Sequence, residues 1–107
     1  MKYHVIFQPR ALQNLEGQYQ HIASHNPRAA ARWFNRFVTA LEGLSQFPER
    51  SPIARESDLT GREIRQLLFG KRQGVRRAFF VIEQQTVRIL SIRHASQSEI
   101  DPDDLLE

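Results

Sequence analysis

Hydrophobic and polar positions follow two rhythms along this chain. Within residues 9–25, Leu12, Leu15, Tyr19 and Ile22 recur at steps of three and four. From Pro27 to about Phe47 the same spacing continues through Ala30, Trp33, Phe34, Phe37, Leu41, Leu44 and Phe47. Each stripe predicts an amphipathic helix with one apolar side. Pro9 suits a first helical position, whose N–H is spare, and Gly17 weakens the first helix somewhat. Asn26-Pro27 ends one helix and starts the next. The residue before proline disfavours the α region, and asparagine is a good N-cap. Pro48 stops the second helix. So short a connection predicts an antiparallel helical hairpin.

The second rhythm is alternation at every other position. It predicts strands at residues 2–7 and near 63–69, 74–83 and 86–94. Gly70-Lys71-Arg72-Gln73-Gly74 joins the first pair of the last three, and a tight turn at Glu83-Gln84-Gln85 joins the second. Residues 48–61, with Pro48, Pro52 and Gly61, read as irregular. The order is β-α-α-β-β-β, an α+β fold in which a two-helix hairpin covers one face of a small antiparallel sheet. Pattern alone leaves open where the first strand joins that sheet, and in which direction.

Length and composition narrow the class. The 107 residues fit one domain, taken as 1–98, followed by an acidic tail over 99–107. The absence of cysteine excludes disulfides and thiolate zinc sites. The N-terminus lacks a signal-peptide run, and no stretch approaches the roughly 20 apolar residues of a membrane helix. A reducing cytoplasm is the expected setting, with no membrane association.

Charge changes the picture more. Thirteen of fifteen cations are arginine, which binds phosphate and carboxylate through a planar fork. Residues 62–94 hold eight Lys or Arg against two Glu, a net charge of +6. A sheet built of alternating apolar and basic residues can bury one face and show cations elsewhere. That arrangement suits an anionic target such as nucleic acid, a nucleic-acid enzyme or an acidic protein. Residues 99–107 hold five acids and no base, leaving +8 on the rest. The tail is expected to be loosely held and solvated, with folding back over the cationic sheet as the alternative.

Several features in order resemble toxins of the RelE/ParE superfamily of bacterial type II toxin–antitoxin systems. They are the N-terminal strand followed by Pro9-Arg10-Ala11, the stretch HIASHNPRAAARWFNRF, the helix end LEGLSQFPERSP, and the arginine-bearing strands EIRQLLFGKRQGVRRAFFVIEQQTVRILSIRHA. The likeness spans roughly residues 1–96. It implies a toxin neutralised by a cognate antitoxin that wraps a segment around the domain, with operator DNA contacted only through the antitoxin. RelE-like members cut messenger RNA on the ribosome, whereas ParE-like members poison DNA gyrase. Fold alone does not choose between them.

In the ribonuclease reading the resemblance assigns Arg76 and Arg65 to charge stabilisation and His94 to general acid or base work. The stretch after His94 carries neither the cation nor the tyrosine of that branch. The long hairpin and the ending Ile92-Arg93-His94-Ala95 resemble ParE more closely. Gyrase inhibition, with no catalysis, is therefore the leading reading. Its target-facing candidates are Arg65, Lys71, Arg72, Arg76, Arg77 and Arg93. An inactive member serving as a binding module is the third. Arg76 and Arg77, adjacent on a strand, must point to opposite faces, and either could simply pair with Glu63 or Glu83. His21 and His25 have the i, i+4 spacing of a metal pair but no evident third ligand, so neither metal nor cofactor is expected.

Overall fold

Proline and asparagine punctuation sets the helical half. In the computed structural model, which describes residues 2–97 and 101–106, strand β1 (His4–Phe7) leads into α1 (Pro9–Ala23) and α2 (Pro27–Glu42). Asn26 caps α2 as its position predicts, its side-chain oxygen accepting from the Ala29 N–H at 3.1 Å. Asn26→Ala is expected to cost about 1 kcal/mol, read as a lowered urea midpoint at unchanged slope.

Ala30, Phe37, Leu41 and Leu44 are buried, and Trp33 and Phe34 are half-buried. Phe47 breaks the expected stripe. α2 ends at Glu42, a 3₁₀ turn over Gly43–Ser45 shifts the phase, and Phe47 adopts φ 53° ahead of Pro48. Its ring is exposed beneath the Arg50 guanidinium, and Pro48 is buried instead. A residue before proline is driven out of the helical region, so the stripe could not continue through it. Leu12 is likewise 50% exposed, because Ala11 and Leu15 are the α1 residues that reach the core.

The remaining strands are β2 (Arg65–Phe69), β3 (Arg76–Glu83) and β4 (Thr86–His94). The sheet order is β1-β4-β3-β2. The last three strands are antiparallel as expected, whereas β1 joins β4 in parallel, His4 opposite Thr86 and Phe7 opposite Ile89. The long helical crossover permits this, since it returns the chain without a hairpin. Gly70 closes the β2–β3 connection at φ 104°, and a Cβ there would lie 2.6 Å from the Gly74 carbonyl oxygen, so only glycine fits.

The sheet buries both faces, not one. Against the hairpin lie Ala78, Phe80, Val87, Ile89 and Ile92, packed with Phe37, Leu41 and Leu15. Phe37 stacks on Phe69 at 4.6 Å. On the other face Phe79, Val81 and Leu90 form a second core with Ala54, Ile64 and Leu105. A bulge makes this possible. Phe79 opposes Ser91 and Phe80 opposes Ile89, so Leu90 is the extra residue and turns into the second core.

Residues 48–61 are more ordered than their composition suggests, with a short helix α3 (Ser57–Thr60) beside that core. The tail also differs from expectation. Pro102–Leu105 forms a 3₁₀ turn, Leu105 is fully buried, and Asp104 pairs with Arg10 and with Arg93, the latter at 3.1 Å. One leucine among acids is enough to dock the segment on an apolar face that would otherwise meet water. Glu99, Ile100 and Glu107 of the expected tail, and the boundary near residue 98, lie outside the described residues.

Candidate functional site

The start of β3 and the end of β4 meet at a polar hollow of about 390 Å³. Arg76 stands directly across from His94 in the antiparallel register, and α1 supplies the opposite wall through Asn14, Gln18 and His21. Arg76 is 9% exposed. Its Nε donates to Gln18 Oε1 at 2.9 Å and its Nη1 to the Gly74 carbonyl at 2.8 Å. The guanidinium lies 5.4 Å from the centre of the Trp33 ring. No carboxylate among the described residues pairs with it. Burial lowers its pKa from the ordinary arginine value, yet a guanidinium starts so high that it stays charged. Among the described residues it is a desolvated cation held by neutral acceptors.

Its surroundings are stapled in place. Gln18 Nε2 donates to the Ile92 carbonyl at 3.0 Å, so the amide that holds Arg76 is itself oriented by β4. Asn14 Oδ1 accepts from the Ile92 N–H at 3.0 Å beside the bulge. His94 Nδ1 accepts from the Ser96 N–H at 3.0 Å, which leaves Nε2 to carry the proton of the neutral ring.

The other expected residues are dispersed. Arg65 lies opposite Phe80, four residue pairs from Arg76 and so about 13 Å along the strands. It donates to the Glu49 and Ser51 carbonyls and to Glu63 Oε1, binding the 48–51 loop to β2. Arg77 points to the opposite face from Arg76, as adjacency on a strand demands. Its partner is Glu56, held through two bonds of 2.7 and 2.8 Å, and neither Glu63 nor Glu83. Arg93 borders the hollow but is paired with Asp104. Lys71 and Arg72 are exposed in the β2–β3 connection. The His21 and His25 rings pack edge to face at 5.4 Å, and the described residues contain no cluster of three potential metal ligands.

Gln18, Asn14, Glu56 and Asp104 were not singled out as site or partner residues in the sequence. Asn14, Gln18 and His21 do recur at i, i+4, i+7, a polar stripe beside the apolar one on α1. Nothing local marked Asp104, whose partners lie 11 residues away or further, and Glu56 has Arg55 beside it at 3.7 Å but takes its two hydrogen bonds from Arg77, 21 residues away.

Outside the hollow, an open apolar groove of about 580 Å³ runs between α1 and α2, lined by Leu12, Leu15, Tyr19, Ala31 and Phe34. Among the described residues no helix is long and apolar enough to cross a membrane.

Residues 5–99 match the family described as ParE toxin of type II toxin-antitoxin system, parDE. No curated protein matches the chain. Among solved structures, a chain of the chromosomal ParDE toxin–antitoxin system from P. aeruginosa superposes with a TM-score of 0.70 at 20% identity. That match covers 87% of this chain and 96% of the other. A doubly substituted E. coli toxin RelE in the free state superposes with a TM-score of 0.59 at 18% identity, covering 92% and 88%. At these identities the likeness concerns the fold.

Proposed function

The chain belongs to the ParE toxin family of type II toxin–antitoxin systems, and from that premise we propose that it acts in the cytoplasm by inhibiting DNA gyrase. A cognate antitoxin neutralises it. The observation that carries the choice of mechanism is the dispersal of the expected ribonuclease set. Phosphodiester cleavage needs an acid, a base and cations converging on one phosphate. Of the three residues assigned to that task, Arg65 is bound to the 48–51 loop and only Arg76 and His94 share a hollow. A buried guanidinium at a strand end, with no carboxylate partner among the described residues, suits recognition of a carboxylate or phosphate on a large partner. The groove between α1 and α2 and the edge strand β1, where Ile6 is 40% exposed, offer apolar surface to an antitoxin segment.

Messenger-RNA cleavage is the second reading, favoured by the cross-strand pairing of Arg76 with His94. Two cell-free assays on antitoxin-free protein separate the readings: gyrase supercoiling, and primer extension on a translated message. The expected result is lost supercoiling with an intact message, and a graded loss of potency in Arg76→Ala. Ribosome-dependent cuts with normal supercoiling, abolished by Arg76→Ala, would overturn the gyrase reading. Silence in both would leave the third, an inactive family member serving as a binding module.

A further inference from the structure

A second cationic surface joins α2 to the β2–β3 connection, away from the hollow of Arg76 and His94. Arg28, Arg32 and Arg36 recur every four residues on α2, all exposed. Four residues of helix rise about 6 Å, so the three span about 12 Å on one side. Arg32 and Arg36 then meet Lys71 of the β2–β3 connection around an open hollow of about 530 Å³, with Trp33 and Phe69 in its lining. Arg72 follows Lys71 in the same connection, also exposed. None of these five cations has an acidic partner among the described residues. By contrast Arg10, Arg55, Arg62, Arg65, Arg77, Arg88 and Arg93 are each ion-paired.

Helix stability does not account for the row. Like charges at i, i+4 repel, and no Asp or Glu stands three or four residues from any of the three arginines. Arg28 lies in the first turn of α2, where the helix dipole opposes a cation and no acid offsets it. Solubility alone would be served as well by mixed charge. What the arrangement does fit is a linear polyanion: a row of forked donors on α2, Lys71 across an open hollow from two of them with exposed Arg72 next in the chain, and two aromatic rings in the lining.

We infer that the channel between α2 and the β2–β3 connection binds the sugar–phosphate backbone of nucleic acid directly, without reading its sequence. Arg28, Arg32, Arg36, Lys71 and Arg72 supply the phosphate contacts. An acidic protein surface would present carboxylates too. However, the groove between α1 and α2 has no cation in its lining, whereas Arg32, Arg36 and Lys71 all line this channel, and their row matches the regular spacing of charge along a phosphate backbone. The inference does not rest on the gyrase reading, because the chain itself makes the contact.

The test is fluorescence anisotropy of a labelled random-sequence DNA duplex titrated with the antitoxin-free full chain. Salt is varied between about 50 and 200 mM. With three to five phosphates engaged, log K is expected to fall against log salt with a slope of about −3 to −4.5. The variant Arg32→Ala/Arg36→Ala/Lys71→Ala keeps good helix formers on α2. It is expected to bind at least tenfold more weakly, with the slope reduced by about 3. A variant of equal charge change at the far end of the sheet, Arg50→Ala/Arg62→Ala/Arg88→Ala, is expected to bind within a few-fold of the parent, and circular dichroism checks that both fold. No binding at the lowest salt would overturn the inference. So would equal loss in the two variants, or, in a parallel titration of labelled polyglutamate, a loss in the channel variant seen with polyglutamate and not with the duplex, which would assign the channel to an acidic protein. Gyrase is absent throughout, so failure of the gyrase reading leaves the result unaffected.

Discussion

Replacing Glu56 by alanine is expected to destabilise the fold by about 3–5 kcal/mol, the range for breaking one side of a buried ion pair. Glu56 is 5% exposed. Its two oxygens take Nη1 and Nη2 of Arg77 in a fork-to-fork pair, while Arg77 Nε donates to Gln66 and the guanidinium lies 4.6 Å from the Phe79 ring centre. Removing the carboxylate leaves a guanidinium facing apolar neighbours with one neutral acceptor. Removing both charges, as Glu56→Leu/Arg77→Met, is expected to recover most of the loss, since well-packed apolar groups can replace a buried pair. Urea unfolding of the two variants and the parent measures both effects. A loss below about 1 kcal/mol in Glu56→Ala would place the pair among ordinary surface bridges.

The same pair predicts acid sensitivity. Burial by itself would raise the Glu56 pKa, but hydrogen bonds from Arg77 and from its own backbone, with the charges of Arg77 and Arg55, outweigh burial and hold it below 4.5. A carboxyl depressed in the folded state stabilises fully above its unfolded value. That contribution fades as pH falls from about 4.5 through the lower folded value. Melting temperatures of the parent are therefore expected to drop more steeply below pH 4.5 than those of Glu56→Gln.

Leu105→Ala is the second substitution with a large expected effect, a loss of about 2–5 kcal/mol. Leu105 is fully buried against Phe79, Val81, Leu90, Ile64 and Ala54, although it belongs to a short acidic segment near the chain end. Asp104→Asn separates packing from charge. It loses the bridges to Arg10 and Arg93, which are partly exposed, and is expected to cost within about 1 kcal/mol. Deleting residues 98–107 is expected to cost at least as much as Leu105→Ala and to increase binding of an apolar dye, because the second core then meets water. A tail deletion with the parent's urea midpoint would show that this segment contributes nothing to the fold in solution.

These two sites show where reading a chain locally stops working. Ala30, Phe37 and Leu41 were recognisable as core because a helix turns its sides at a period the chain displays directly. Asn26 and Pro27 were recognisable as a boundary because capping involves residues three apart. The unbroken run Ala78-Phe79-Phe80-Val81 carried a signal of burial on both faces that alternation elsewhere obscured. Phe47 was misplaced because one 3₁₀ turn changed the phase.

The candidate site divides the same way. That Arg76 and Arg77 point apart follows from the pleat alone, and so does a cationic character for residues 62–94. Which of those cations gain an acid from outside the stretch depended on Glu56 and Asp104, brought in from distant segments by folding, as were the 48–51 carbonyls that tie down Arg65. The meeting of Arg76 with His94 is a matter of strand register, and the choice of Gln18 as its acceptor is a matter of how α1 crosses the sheet. Periodicity, caps and charge runs act between near neighbours and are written in the chain. Register, the direction of β1, the docking of Leu105 and the pairing of arginines were settled only when distant surfaces competed for the same partners.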